Sequence, residues 1–129
     1  MLVRGVWRTA EGKPFFANLK VMRAVLRRLE EALGPGGAVR AWAFLDDRFG
    51  FVAEGPDTLP ELLAEARRRA DEAFQAENRE PLWAPGPVGE RVSPGDPDPA
   101  ADLARWPVDA GLAETPEDYP WCGGGWLIR

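Results

Sequence analysis

The chain contains no histidine, one cysteine, one tyrosine and one serine among its 129 residues. Without imidazoles, and with a single thiol, it cannot assemble the three or four nitrogen or sulfur ligands that zinc or copper needs. Histidine acid–base catalysis is excluded on the same ground, and Ser93 has no histidine to activate it as a nucleophile. Cys122 has no disulfide partner within the chain and reads as a small packed side chain. No apolar run approaches the roughly 20 residues of a membrane span, and the N-terminus lacks the basic-then-apolar pattern of a secretory signal. A cytoplasmic protein without membrane contact is expected. No glycine-rich phosphate cradle stands between a strand and a helix. The glycines at 123–125 read as a turn that delivers Trp126 and Leu127 to a surface, and no cofactor is expected.

What is present suits one domain with one core. The net charge of −5 conceals an asymmetry: residues 1–40 hold eight Arg or Lys against three acids, and residues 80–129 hold three against nine. Phosphate affinity comes mainly from Arg and Lys that displace counterions, so the acidic half opposes tight nonspecific DNA binding. Sixteen of the 27 prolines and glycines follow residue 80, which makes that part loop-rich.

Apolar residues at 2, 3, 6 and 7 predict a first strand before a polar turn over 11–14. Asn18 is a fitting cap for a helix in which Met22, Val25, Leu26, Leu29 and Leu33 recur at helical spacing, and the glycines from 34 onward end it. Residues 39–45 and 49–53 predict a hairpin across Asp46 and Asp47. Thr58 and Glu61 predict a capping box before a second helix, whose core face carries Leu59, Leu62, Leu63, Ala66, Ala70, Ala73 and Phe74. A short strand over 90–93 and a short helix over 100–105 follow. The order strand, helix, strand, strand, helix, strand predicts an α+β fold: a ferredoxin-like antiparallel sheet (βαββαβ) with two helices on one face and a loop-rich C-terminal extension. Residues 1–129 are expected to form a single domain, in which 80–129 complete a core built by 1–79. Simple alternation turns Val39, Ala41, Ala43 and Leu45 toward the helices. It leaves Trp42 and Phe44 on the open face, which then needs a partner.

Among the charged residues, Arg27, Arg28, Arg67, Arg68 and Arg69 are interleaved with acids at three- and four-residue offsets, the pattern of a solvated, ion-paired face. Asp46, Asp47 and Glu54 flank the hairpin; an all-oxygen magnesium site is their functional reading and turn geometry their structural one. Arg4 and Arg8 flank Trp7, and a strand presenting cations and an aromatic can neutralise and stack single-stranded nucleic acid.

The tail reads Trp-Pro-Val-Asp-Ala-Gly-Leu over 106–112 and Glu-Thr-Pro-Glu-Asp-Tyr-Pro-Trp over 114–121. This resembles the end of the REP-associated tyrosine transposases, where Asn-Pro-Val-Arg-Ala-Gly-Leu precedes Pro-Glu-Asp-Tyr-Pro-Trp-Ser-Ser-Tyr. The strand over 41–54, the helix over 59–74 and Pro81-Leu82-Trp83 fall in the same order, so the resemblance spans nearly the whole chain. It implies a pair of histidines on the middle strand that hold a divalent metal. The matching positions here are Arg48 and Gly50, and neither can replace an imidazole. It also implies a nucleophilic tyrosine on the second helix, which has Ala70 and Ala73 there; Tyr119 belongs to the tail motif and reads as a packing residue. The family's Asn, Arg and Ser-Ser-Tyr are replaced by Trp106, Asp109 and Cys122-Gly123-Gly124, which moves the surface away from phosphate. The expectation is a catalytically inactive transposase-like protein. Weak single-stranded or hairpin DNA binding would fall to Arg4, Arg8 and Arg48, and a homodimer would pair through its sheets. The alternative is a protein-interaction or homodimerisation module, to which the acidic second half and the tryptophans point.

Overall fold

The computed structural model describes residues 1–112, residue 114 and residues 122–124. Tyr119, Trp121, Gly125, Trp126 and Leu127 lie outside the described residues.

Strand β1 (Leu2–Arg8) leads through two short 3-10 turns to helix α1 (Leu19–Leu33). The Asn18 side chain accepts a hydrogen bond from the Lys20 N–H at 2.9 Å, as a cap should. Gly34 stops the helix at φ 60°, a conformation that costs glycine nothing. Strands β2 (Ala38–Leu45) and β3 (Arg48–Glu54) form the expected hairpin, and α2 (Leu59–Asn78) follows. The capping box at its start does not form, because Thr58 has near-helical ψ and its side chain caps nothing. Pro60 has no N–H to offer, and the Glu61 N–H is taken by the Thr58 carbonyl at 3.0 Å. Proline is harmless in this first turn, where its N–H would have no helical partner.

The expected strand over 90–93 is reduced to β4 (Glu90–Arg91). The expected short helix is instead α3 (Pro99–Asp109), capped by the Asp98 carboxylate, which accepts from the Ala100 N–H at 3.0 Å. It continues through Pro107, which is almost fully buried. Strand β5 (Cys122–Gly124) pairs with β2, so Gly123 and Gly124 form an edge strand and not the expected turn. The unpaired N–H and C=O groups along the outer edge of β2 supply its partner.

All strands are antiparallel in the order β4-β1-β3-β2-β5, the ferredoxin-like arrangement with one added edge strand. Helices α1 and α2 cover one face. Between them and the sheet lie Val25, Leu29, Leu59 and Leu63, with edge-on and stacked aromatic contacts among Trp7, Phe16, Phe44, Phe49 and Phe51. Burying each such aliphatic side chain contributes about 1.5–3 kcal/mol.

The facing expected for β2 holds at Val39, which packs on the helix side, and is reversed at Ala41 and Ala43 beyond it. Val39 pairs with Ala53 and Ala41 with Val52, which leaves Arg40 as an extra residue, a bulge that breaks the alternation. Trp42 and Phe44 therefore pack under α1 and α2, and Ala41 and Ala43 point to the other face. That second face is partly covered as well: Leu103 and Trp106 of α3 pack on Ala41, Ala43 and Val52. Among the described residues the tryptophans offered by the sequence as interface anchors are thus largely internal, with Trp7 and Trp83 buried in the main core.

Candidate nucleic-acid interface

Antiparallel register brings the three candidate cations together. Arg8 lies directly opposite Arg48, Val6 opposite Gly50, and Arg4 opposite Val52. Because Trp7, Phe49 and Phe51 point into the main core, alternation puts Arg4, Val6, Arg8, Arg48, Gly50 and Val52 on the second face of the sheet. Helix α3 covers its β2 side, and the β1 side stays open, with Val6 44% exposed.

The three arginines are not equivalent. Arg4 is held by Glu90 at 2.8 Å and approached by Asp102 of α3 at 3.8 Å, so two acids neutralise it. Arg48 donates to its neighbour Asp47 at 3.1 and 3.4 Å. This hydrogen bonding, with the charges of Arg48 and Arg8, holds the Asp47 carboxyl below the usual carboxylate range, against a smaller opposing effect of burial. Arg8 is exposed and has no ion-pair partner among the described residues. The basic face is therefore reduced to Arg8 and the outer side of Arg48.

Beside these residues a groove of about 440 Å³ runs between β1 and α3, lined by Arg4, Val6, Val52, Leu103 and Trp106, with the 87–90 segment as its far wall. Two of its lining residues, Leu103 and Trp106, also crowd Gly50. A Cβ at this position would lie 2.5 Å from both Leu103 Cδ2 and Trp106 Cη2. The space above the strand position implied for a metal-binding imidazole is filled by apolar side chains.

This geometry bears on the hairpin acids, where it favours the turn reading, and on the position implied for the nucleophile. Asp46 and Asp47 sit at one end of β3 and Glu54 at the other, roughly 20 Å apart at the rise of a strand. Glu54 is paired with Arg40, and no cluster of three or more potential metal ligands occurs among the described residues. The Asp46 and Asp47 carbonyls accept from Phe16 and Thr9 respectively, so the turn serves to hold the chain. Ala70 and Ala73 lie on α2, across the sheet from Arg48 and Gly50. A side chain there could not reach the second face; the helix that does is α3, whose contacts at position 50 are leucine and tryptophan.

This architecture has a solved counterpart. The fold is similar to that of a REP-associated tyrosine transposase. The structure of that transposase bound to a REP hairpin matches with a TM-score of 0.63 at 16% identity, covering 94% of this chain and 73% of the other. At that identity the likeness is one of fold. No protein-family model matches the chain, and no curated protein does.

Three contributors have roles that the sequence does not indicate: nothing singles out Asp102, Trp106 stands only as a replaced asparagine, and Arg67 is expected on an ion-paired face. Asp102 neutralises Arg4, Trp106 fills the face above Gly50, and Arg67 anchors the proline-rich segment by donating to the carbonyls of Ala84, Gly86 and Pro87 at 2.7, 2.9 and 3.3 Å. Trp106 carried a signal, since it replaces the asparagine of the transposase tail pattern. Arg67 carried none, lying in a run of three arginines of which Arg68 and Arg69 are ion-paired as expected.

Proposed function

We propose that the chain is a catalytically inactive transposase-like protein that retains weak binding of single-stranded or hairpin DNA on the open side of its second sheet face. The observation that carries the inactive reading is the packing at Gly50, where Leu103 and Trp106 leave no room for a ligand side chain. Arg48, at the other implied ligand position, has a fixed positive charge and no lone pair to offer. The DNA reading is supported by Arg8 and Arg48 side by side on the open surface and by the transposase of similar fold being bound to a hairpin. Weak binding follows from the charge count: with Arg4 neutralised, two cations contact phosphate, and each contributes about one unit to the salt dependence.

Labelled hairpin and single-stranded oligonucleotides incubated with magnesium or manganese are expected to remain uncut. Any protein-linked or shortened strand overturns the inactive reading. Fluorescence anisotropy at low salt is expected to detect hairpin binding that Arg8→Ala/Arg48→Ala removes, and binding that is absent, or unchanged in that variant, overturns the DNA reading. The homodimer belongs to the same proposal, and sedimentation velocity tests it.

A second reading, self-association or protein interaction through this face, is favoured by the exposed Val6 beside the groove. Val6→Glu is expected to abolish a dimer if this face is the contact, and to leave a dimer intact if it is not.

A further inference from the structure

The opposite side of the molecule carries a second cationic surface. A trough of about 570 Å³ runs between the outer sides of α1 and α2. Four cations line it, Lys20, Arg23, Arg27 and Arg28, against one acid, Glu77. Arg27 and Arg28 share the carboxylate of Glu31, at 3.2 and 3.3 Å, which leaves one of those two charges uncompensated. Lys20 and Arg23 are exposed and have no ion pair among the described residues. Glu30 and Glu31 close the row at its C-terminal end, so the excess charge is concentrated in the first half of α1.

We infer that this trough is a sequence-independent docking surface for a double-stranded nucleic-acid stem. Lys20, Arg23 and Arg27 follow one another at i, i+3 and i+7 on one side of a helix, a straight row roughly 10 Å long at about 1.5 Å rise per residue. Four successive phosphates of one strand of a duplex, three steps of about 3.4 Å, cover roughly the same axial distance. The floor is made of Ala24, Ala70 and Ala73. Small side chains keep it low, so a backbone can settle between the helices. The trough offers no tryptophan or tyrosine, the anchors that carry protein interfaces. Its small apolar floor is also unlike the broad apolar face that an amphipathic helix inserts into a membrane. A row of charge without apolar anchors fits phosphate and carries no base-reading side chains. The inference does not rest on the sheet-face reading, because the two surfaces lie on opposite sides of the fold and share no residue.

The test is duplex binding by the full chain, followed by anisotropy with a blunt 20-base-pair probe over a salt series. Binding is expected at about 50 mM salt, with log K falling against log salt at a slope of about −3 for three contacts. Lys20→Ala/Arg23→Ala is expected to lower duplex affinity roughly tenfold and to bring the slope to about −1, because two contacts are lost. Both positions are exposed, and an unchanged circular dichroism spectrum and melting temperature confirm the fold. Arg8→Ala/Arg48→Ala is expected to leave duplex binding unchanged, which separates this surface from the sheet face. No duplex binding at low salt, or binding indifferent to Lys20→Ala/Arg23→Ala, overturns the inference. So does tighter binding of a single strand than of the duplex, or competition by poly-glutamate of equal charge as effective as that by unlabelled duplex.

Discussion

A methyl group at position 50 would meet Leu103 Cδ2 and Trp106 Cη2 at 2.5 Å. Both atoms belong to well-packed side chains, and relief requires α3 to shift. Gly50→Ala is therefore expected to destabilise the fold by about 1–3 kcal/mol, the usual cost of overpacking, measured as a lower denaturant midpoint at unchanged slope. A neutral substitution would mean that α3 does not seat on β3 as described. Three residues before it, in the turn, Asp47 is held below the ordinary carboxylate range by hydrogen bonds from Arg48. The folded value is the lower one, so its stabilisation is present above the unfolded carboxylate range and is lost as pH falls through the lowered folded value. Arg48→Ala is expected to raise the Asp47 titration back toward the ordinary carboxylate range, read by carboxyl-carbon NMR. A titration unmoved by the substitution contradicts the pairing.

At the scale of elements, the three arginines at 67–69 look alike in sequence and behave differently. Arg68 and Arg69 lie in an exposed network with Glu65 and Glu72, where ion pairs contribute little. Arg67 spends its guanidinium on three backbone carbonyls and lies about 6 Å from the Trp7 ring, so it fastens the 84–87 segment onto the main core. Its burial lowers its pKa, but an arginine stays charged at any ordinary pH. Arg67→Lys is expected to cost about 1–2 kcal/mol, because an ammonium cannot reproduce a planar fork across several acceptors. Arg68→Ala is expected to have no measurable effect in the same urea titration, and equal effects would refute the distinction. The helices were legible because Leu and Ala recur at 3.6-residue spacing with Asn18 and Gly34 at the ends of α1. The facing of β2 was not, since the Arg40 bulge is set by pairing with β3 and leaves no mark in the local pattern.

For the whole molecule, residues beyond 79 contribute side chains to the main core. Leu82 and Trp83 are 1% and 9% exposed within the main core, and the Trp7 and Trp83 indoles donate to Val88 and Arg67 carbonyls at 2.7 and 3.0 Å. A chain ending at 79 is expected to show no cooperative unfolding transition, whereas one ending at 112 should retain it. Cooperative melting of the shorter chain would refute this. The charge asymmetry read from the sequence has a spatial counterpart in the cations of α1 and the open sheet face, while Glu90 and Asp102 from the acidic half cover Arg4.

The sequence by itself determined the element order and hence the ferredoxin-like fold, because periodicity, caps and turn residues are local properties. It also determined the exclusion of imidazole and thiolate metal chemistry, since side chains that are absent cannot be supplied by any fold. Only the tertiary structure decided which cations share a face, that Arg4 is neutralised and Arg8 left open, and that α3 rather than α2 stands over Gly50. Those outcomes depend on strand register and on contacts between residues more than 50 positions apart, about which local pattern carries no information.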